Sequence, residues 1–167
     1  MIRISKSSVN RLVFMGLVSL VLPLLVPSRA LAQGTGQRRA VANQEDGPIF
    51  SEYRGVQIGM SADEARKKLG HLKDKGDTQD FFVFSDNETA QVVYDAATHK
   101  VVTVSVDFMH GAADVPVAKS VIGSDIEAKA DGSMYKMVRY AKAGYWVSYS
   151  KTAGDSPLTS VTIQKIQ

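Results

Sequence analysis

The 167-residue sequence has no cysteine. That excludes disulfides, thiol catalysis and cysteine zinc sites, and it predicts no lipidated N-terminal cysteine. A small domain without disulfides must hold together by its core alone. Histidine is nearly as scarce, with only His71, His99 and His110. No His-x-x-x-His spacing occurs, whereas a zinc site needs three or four converging ligands. Asp107-x-x-His110 comes nearest to a ligand pair, and it reads better as a strand-end carboxylate beside a turn histidine. A Gly-x-Ser-x-Gly elbow, a P-loop and a dinucleotide glycine pattern are all missing. Gly123-Ser124-Asp125 reads as a helix stop. The expectation is a non-enzymatic chain with no metal, no cofactor and no catalytic residue, although scattered carboxylates can still converge in three dimensions.

No apolar run reaches the roughly 20 residues that span a bilayer. The longest, residues 12–26, has 15 and is interrupted by Gly16, Ser19 and Pro23. It follows the basic Arg3, Lys6 and Arg11 and precedes Ala30-Leu31-Ala32. That order is an export signal, residues 1–32, with cleavage expected after Ala32. The location implied is periplasmic or secreted, with no stable membrane insertion once the signal is cut.

A basic surface is also lacking. Of the 20 basic residues, Arg3, Lys6, Arg11 and Arg29 leave with the signal, so 16 face 17 acidic ones, a net charge of −1. No basic stripe remains to follow a phosphate backbone, and nucleic-acid binding is not expected. Residues 33–47 hold little apolar content and read as a flexible linker. The folded unit is expected at 48–167, a single domain of about 120 residues, enough for one core.

What is present is helix grammar followed by strands. Tyr53-Arg54-Gly55-Val56-Gln57-Ile58-Gly59-Met60 leads to Ser61-Ala62-Asp63-Glu64-Ala65-Arg66-Lys67-Lys68-Leu69-Gly70. Ser61 and Glu64 form a capping box, the acids sit at the N-terminal end, the bases sit towards the C-terminal end, and Gly70 closes the helix. A polar segment, 71–80, comes next. Residues 81–84 are wholly apolar. Ala90, Val92 and Tyr94 share one face of a second strand. In 101–108, Val102, Val104, Val106 and Phe108 are expected on one face and Thr103, Ser105 and Asp107 on the other. The same order then recurs at an offset of 53 residues: a helix near 117–123, with Asp114 as candidate cap and Pro116 in the first turn, then strands near 134–140, 145–150 and 158–166. The fold expected is α+β, with short helices packed on an antiparallel sheet of about six strands. It reads as a tandem duplication of an α-β-β-β unit, the repeats covering about 53–110 and 111–167.

Two such units, the first opening on Gly-Met-Ser-x-x-Glu-Ala-x-x-x-Leu-Gly, resemble the β-lactamase-inhibitor-protein-like fold. Residues 58–70 also look like the opening of the small outer-membrane assembly lipoproteins (BamE/SmpA). The likeness covers 53–166 as an order of elements and 58–70 as a motif. It implies helices on one sheet face and a partner protein bound by the other face or its loops. The lipoproteins carry a lipidated cysteine that this chain lacks, and no partner-binding residue is carried over.

The aromatic residues then suggest a surface. Tyr135, Tyr140, Tyr145, Trp146 and Tyr149 cluster in the second half. If Tyr145, Val147 and Tyr149 face the helices, Trp146, Ser148 and Ser150 face outward. Trp146 flanked by Lys136, Arg139 and Ser148 is the candidate protein-binding surface. The competing reading is a set of cross-strand aromatics that complete the core. The function expected is an exported protein-binding module, inhibitor-like or envelope-assembly-like. The rival is a small periplasmic enzyme or ligand-binding protein that uses the sheet face.

Overall fold

The computed structural model describes residues 47–167 and, by its backbone, the two-residue strand β1 (Ala42–Asn43). The expected signal and its cleavage site, and the rest of residues 33–46, lie outside the described residues.

Helix α1 (Ala62–Leu69) forms where the capping grammar puts it. The Glu64 N–H donates to Ser61 Oγ at 3.4 Å, and the Ser61 N–H donates to Glu64 Oε2 at 3.1 Å. Ala62, Ala65 and Leu69 give the helix its buried stripe. Gly70 ends it at φ 58°, ψ −159°, a conformation open only to glycine.

Seven strands then build one antiparallel sheet: β2 (Leu72–Lys75), β3 (Gln79–Ser85), β4 (Glu88–Tyr94), β5 (Val101–Phe108), β6 (Met134–Tyr140), β7 (Tyr145–Lys151) and β8 (Thr159–Lys165). The spatial order is β1-β6-β7-β8-β5-β4-β3-β2, with β1 added parallel to the outer edge of β6. Strand β2 lies within the segment expected to be polar connection, so the sheet is larger than the expected six strands. All four of its residues are exposed, and it carries none of the period-2 burial that marks a strand in sequence. Two residues of the expected linker, Ala42 and Asn43, are paired in β1.

Helix α2 (Ala118–Ile122) lies between β5 and β6 and buries Val121 and Ile122. Asp114 does not cap it. Val117 occupies the cap position with no side-chain hydrogen bond, and Asp114 sits two residues before Pro116 at φ 52°. Pro116 precedes the helix and does not enter its first turn.

Both helices and the 53–60 loop cover one face of the sheet. That face supplies Phe82, Ala90, Val92, Val104, Val106, Val138, Val147, Tyr149, Val161 and Ile163 to a core shared with Val56, Ala65, Leu69, Val121 and Ile122. Burying each such aliphatic side chain contributes about 1.5–3 kcal/mol, which the chain needs in place of disulfides. One expected facing is corrected here. Val101, not Val102, is buried with Val104 and Val106. Tyr94 pairs with Val101 while Val93 pairs with Thr103, so Val102 is the extra residue of a β-bulge. The bulge resets the alternation by one position.

Candidate functional site

The sheet has a second face that α1 and α2 leave open. Its rows follow from the registers. Across the middle, Met137, Ser148, Thr162, Ser105, Gln91 and Phe81 stand side by side. On one side of them run Arg139, Trp146, Gln164, Thr103 and Val93, and on the other run Tyr135, Ser150, Ser160, Asp107 and Thr89. Within these rows the only charges are Arg139 and Asp107. Asp107 accepts a hydrogen bond from Ser160 Oγ, and Ser105 Oγ lies 2.9 Å from Thr162 Oγ1. Phe81 and Tyr135 are the most exposed aromatics of the face. This is a field of hydroxyls and amides, with Phe81 and Tyr135 towards its two ends and Trp146 within it.

Trp146 stands on this face, opposite Tyr145, Val147 and Tyr149, as the alternation of Tyr145-Trp146-Val147-Ser148-Tyr149 predicts. It is half-buried between its cross-strand neighbours Arg139 and Gln164. Ser148 lies on the same face between Met137 and Thr162. Lys136 does not join them. It pairs with Tyr149 on the helix face and donates from Nζ to Ser124 Oγ at 2.6 Å. Lys136 and Arg139 are three residues apart in a regular strand, so period-2 geometry sends them to opposite faces. The candidate surface is therefore Trp146, Arg139 and Ser148, with Tyr135 and Met137 beside them.

A second polar constellation was not legible in the sequence. Asp80, expected at the end of a polar connection, is fully buried in β3. Arg66 of α1 donates to it from Nε at 2.7 Å and from Nη2 at 3.2 Å. The Tyr94 hydroxyl of β4 donates at 2.7 Å, and the Gly76 N–H donates at 3.1 Å. Burial pushes the Asp80 carboxyl up, but the hydrogen bonds from Arg66, Tyr94 and Gly76 outweigh it and hold the group below the usual carboxylate range. Burial, together with the hydrogen bond to Asp80, drives the Tyr94 hydroxyl well above its ordinary value. The Arg66 guanidinium also sits 5.5 Å from the Tyr94 ring centroid. Gly76 is required here, because a Cβ would come within 2.5 Å of the Gln79 carbonyl. The signal available in sequence was the run Asp80, Phe82, Phe84, which continues the inward alternation one step into the polar segment.

Arg66 also forms part of a cleft of about 420 Å³ with Ser61, Asp63, Lys75, Asp77 and His99. Its guanidinium is already engaged by Asp80, Asp63 and the Gly76 carbonyl. The cleft mixes both charge signs, and the network behind it ties α1 to the sheet. His71 packs edge-on to Phe84, and His99 and His110 lie in loops. Among the described residues, no three His, Asp or Glu side chains converge on a point that would hold a metal ion, and no helix is long and apolar enough to cross a membrane. Comparison with protein-family models, with curated proteins and with solved structures finds no match to this chain.

Proposed function

We propose that the chain is an exported, non-enzymatic protein-binding module that engages its partner with the open sheet face around Trp146, Arg139 and Ser148. The observation that carries this reading is the setting of Trp146. It lies on the face that the described residues leave open, directly across from Arg139, among neutral hydroxyl and amide side chains. Tryptophan and arginine, set among groups that cost little to desolvate, make up the composition of binding hot spots. The export signal read in residues 1–32 puts the module in the periplasm or outside the cell.

The duplication belongs to the same proposal. Strands β3-β4-β5 and β6-β7-β8 each form a three-strand meander, and the two meanders meet at β5 and β8. The helices before them end at Gly70 and Gly123, both at positive φ. This arrangement fits a doubled unit of the β-lactamase-inhibitor-protein-like or BamE/SmpA-like kind, with inhibition of an enzyme or assistance in envelope assembly as the corresponding roles.

The test is affinity capture from envelope extract with the exported protein as bait, followed by mass spectrometry. Trp146→Ala and Arg139→Ala are expected to lose a protein that the parent chain retains. Lys136→Ala, on the opposite face, is expected to keep it. Equal capture by the parent and Trp146→Ala would sink the proposal.

A further inference from the structure

The two edges of the sheet are protected in different ways. The β2 edge has four residues, three of them charged (Lys73, Asp74 and Lys75), and a register shift between Leu72 and Asp74. Charges and a bulge are standard guards against strand addition. The β6 edge has only Lys136 and Arg139 as charges among its seven residues and no proline, and it pairs with β7 without any register shift. Tyr135 is 51 % exposed on it. Among the described residues, only Val138 and Arg139 have a partner on the outer side, the two-residue β1. A long edge of regular register, with two cations in seven residues and, among the described residues, only a two-residue strand against it, is a template for further pairing.

We infer that β6 is a self-association edge at which the β6 of a second copy pairs antiparallel and displaces β1. The register centred on Met137 pairs all seven residues. It sets Lys136 opposite Val138 and Arg139 opposite Tyr135, so neither cation meets another. Arg139 and Tyr135 lie on the open face, where an arginine across from a tyrosine ring is an attractive cation–π pair. A register centred on Lys136 would oppose the two lysines, and one centred on Arg139 would oppose the two arginines. Because a two-fold axis normal to the sheet keeps each face on its own side, the two open faces merge into one continuous surface. Pairing of a single strand buries less than the roughly 1,200 Å² of a stable interface, so the dimer is weak and concentration-dependent. This inference does not depend on the partner proposed above, since failure of capture leaves the oligomeric state unchanged.

Sedimentation velocity on the exported protein, up to about 1 mM, tests it. The parent chain is expected to move from monomer towards dimer as its concentration rises. Ala42→Pro with Asn43→Pro removes the N–H groups of β1 and frees the edge, which should tighten the dimer by about tenfold. Tyr135→Arg places a guanidinium opposite Arg139 of the other copy and should return the protein to monomer. Adding Arg139→Glu to Tyr135→Arg should restore the dimer. A monomer at every concentration in both the parent and the proline variant overturns the inference. So does a dimer that ignores Tyr135→Arg, or one that the charge swap fails to restore.

Discussion

Asp80 and Tyr140 are two buried polar side chains that differ in how they are satisfied. Asp80 has four donated hydrogen bonds, whereas the Tyr140 hydroxyl is buried with no hydrogen-bond partner among the described residues. Removing one member of a buried pair strands the other, and removing an unsatisfied group strands nothing. Asp80→Asn is expected to cost about 3 kcal/mol at neutral pH, the low end for a broken buried pair, because Arg66 keeps Asp63 and access to water. The carboxyl of Asp80 is depressed in the folded state. Its contribution is therefore fully present above the unfolded carboxyl pKa of about 3.9, and it is lost as pH falls through the lower folded value. Urea melts of the parent and Asp80→Asn should accordingly converge in acid below about pH 4 and separate above it. Tyr140→Phe should leave stability unchanged or raise it by up to about 1 kcal/mol. A clear loss in the same melt would mean that the hydroxyl is bonded in solution.

At the scale of elements, α1 is specified locally and α2 is not. The Ser61–Glu64 box closes α1 from within its own first turn, so Ser61→Ala should cost about 1 kcal/mol in chemical denaturation. Leu69→Ala should cost more, about 2–5 kcal/mol, because Leu69 is buried against the sheet. Helix α2 has five residues and no side-chain cap, and it is held by Val121 and Ile122 in the core. A Pro–Asp pattern upstream of it was a poor guide, since so short a helix takes its bounds from packing rather than from a cap. The strands divide in the same way. Strand β7 alternates cleanly and could be read off the sequence, whereas β6 turns Lys136 inward and Tyr135 and Met137 outward, so its hydropathy does not alternate. Strand β2 is exposed on every residue and owes its place to pairing with β3.

For the molecule as a whole, the proposed function rests on the open face. Its surface is neutral at the centre, so the proposed recognition there would rest on shape, rings and hydrogen bonds more than on long-range charge. Partial burial of Trp146 between Arg139 and Gln164 raises the expected cost of Trp146→Ala from under about 1 kcal/mol, as for a free surface ring, to about 1–2 kcal/mol. That is still well below the roughly 3–5 of a core tryptophan. Moderate acrylamide quenching of Trp146 fluorescence goes with this placement, and complete protection would contradict it.

The sequence alone determined whatever depends on near neighbours. The cap of α1, the alternation of β4 and of β7, and the facing of Trp146 away from Tyr145 follow from periods of 3.6 and 2. The tertiary structure decided whatever depends on residues far apart. It placed Asp80 inside, because Arg66 and Tyr94 arrive from other elements to satisfy it. It moved the inward position from Val102 to Val101 through a bulge visible only against the partner strand. It set β5 beside β8, so that two meanders share one core and, among the described residues, leave one face open. Local spacing cannot carry that information, because cross-strand register is a relation between segments and not a property of either one.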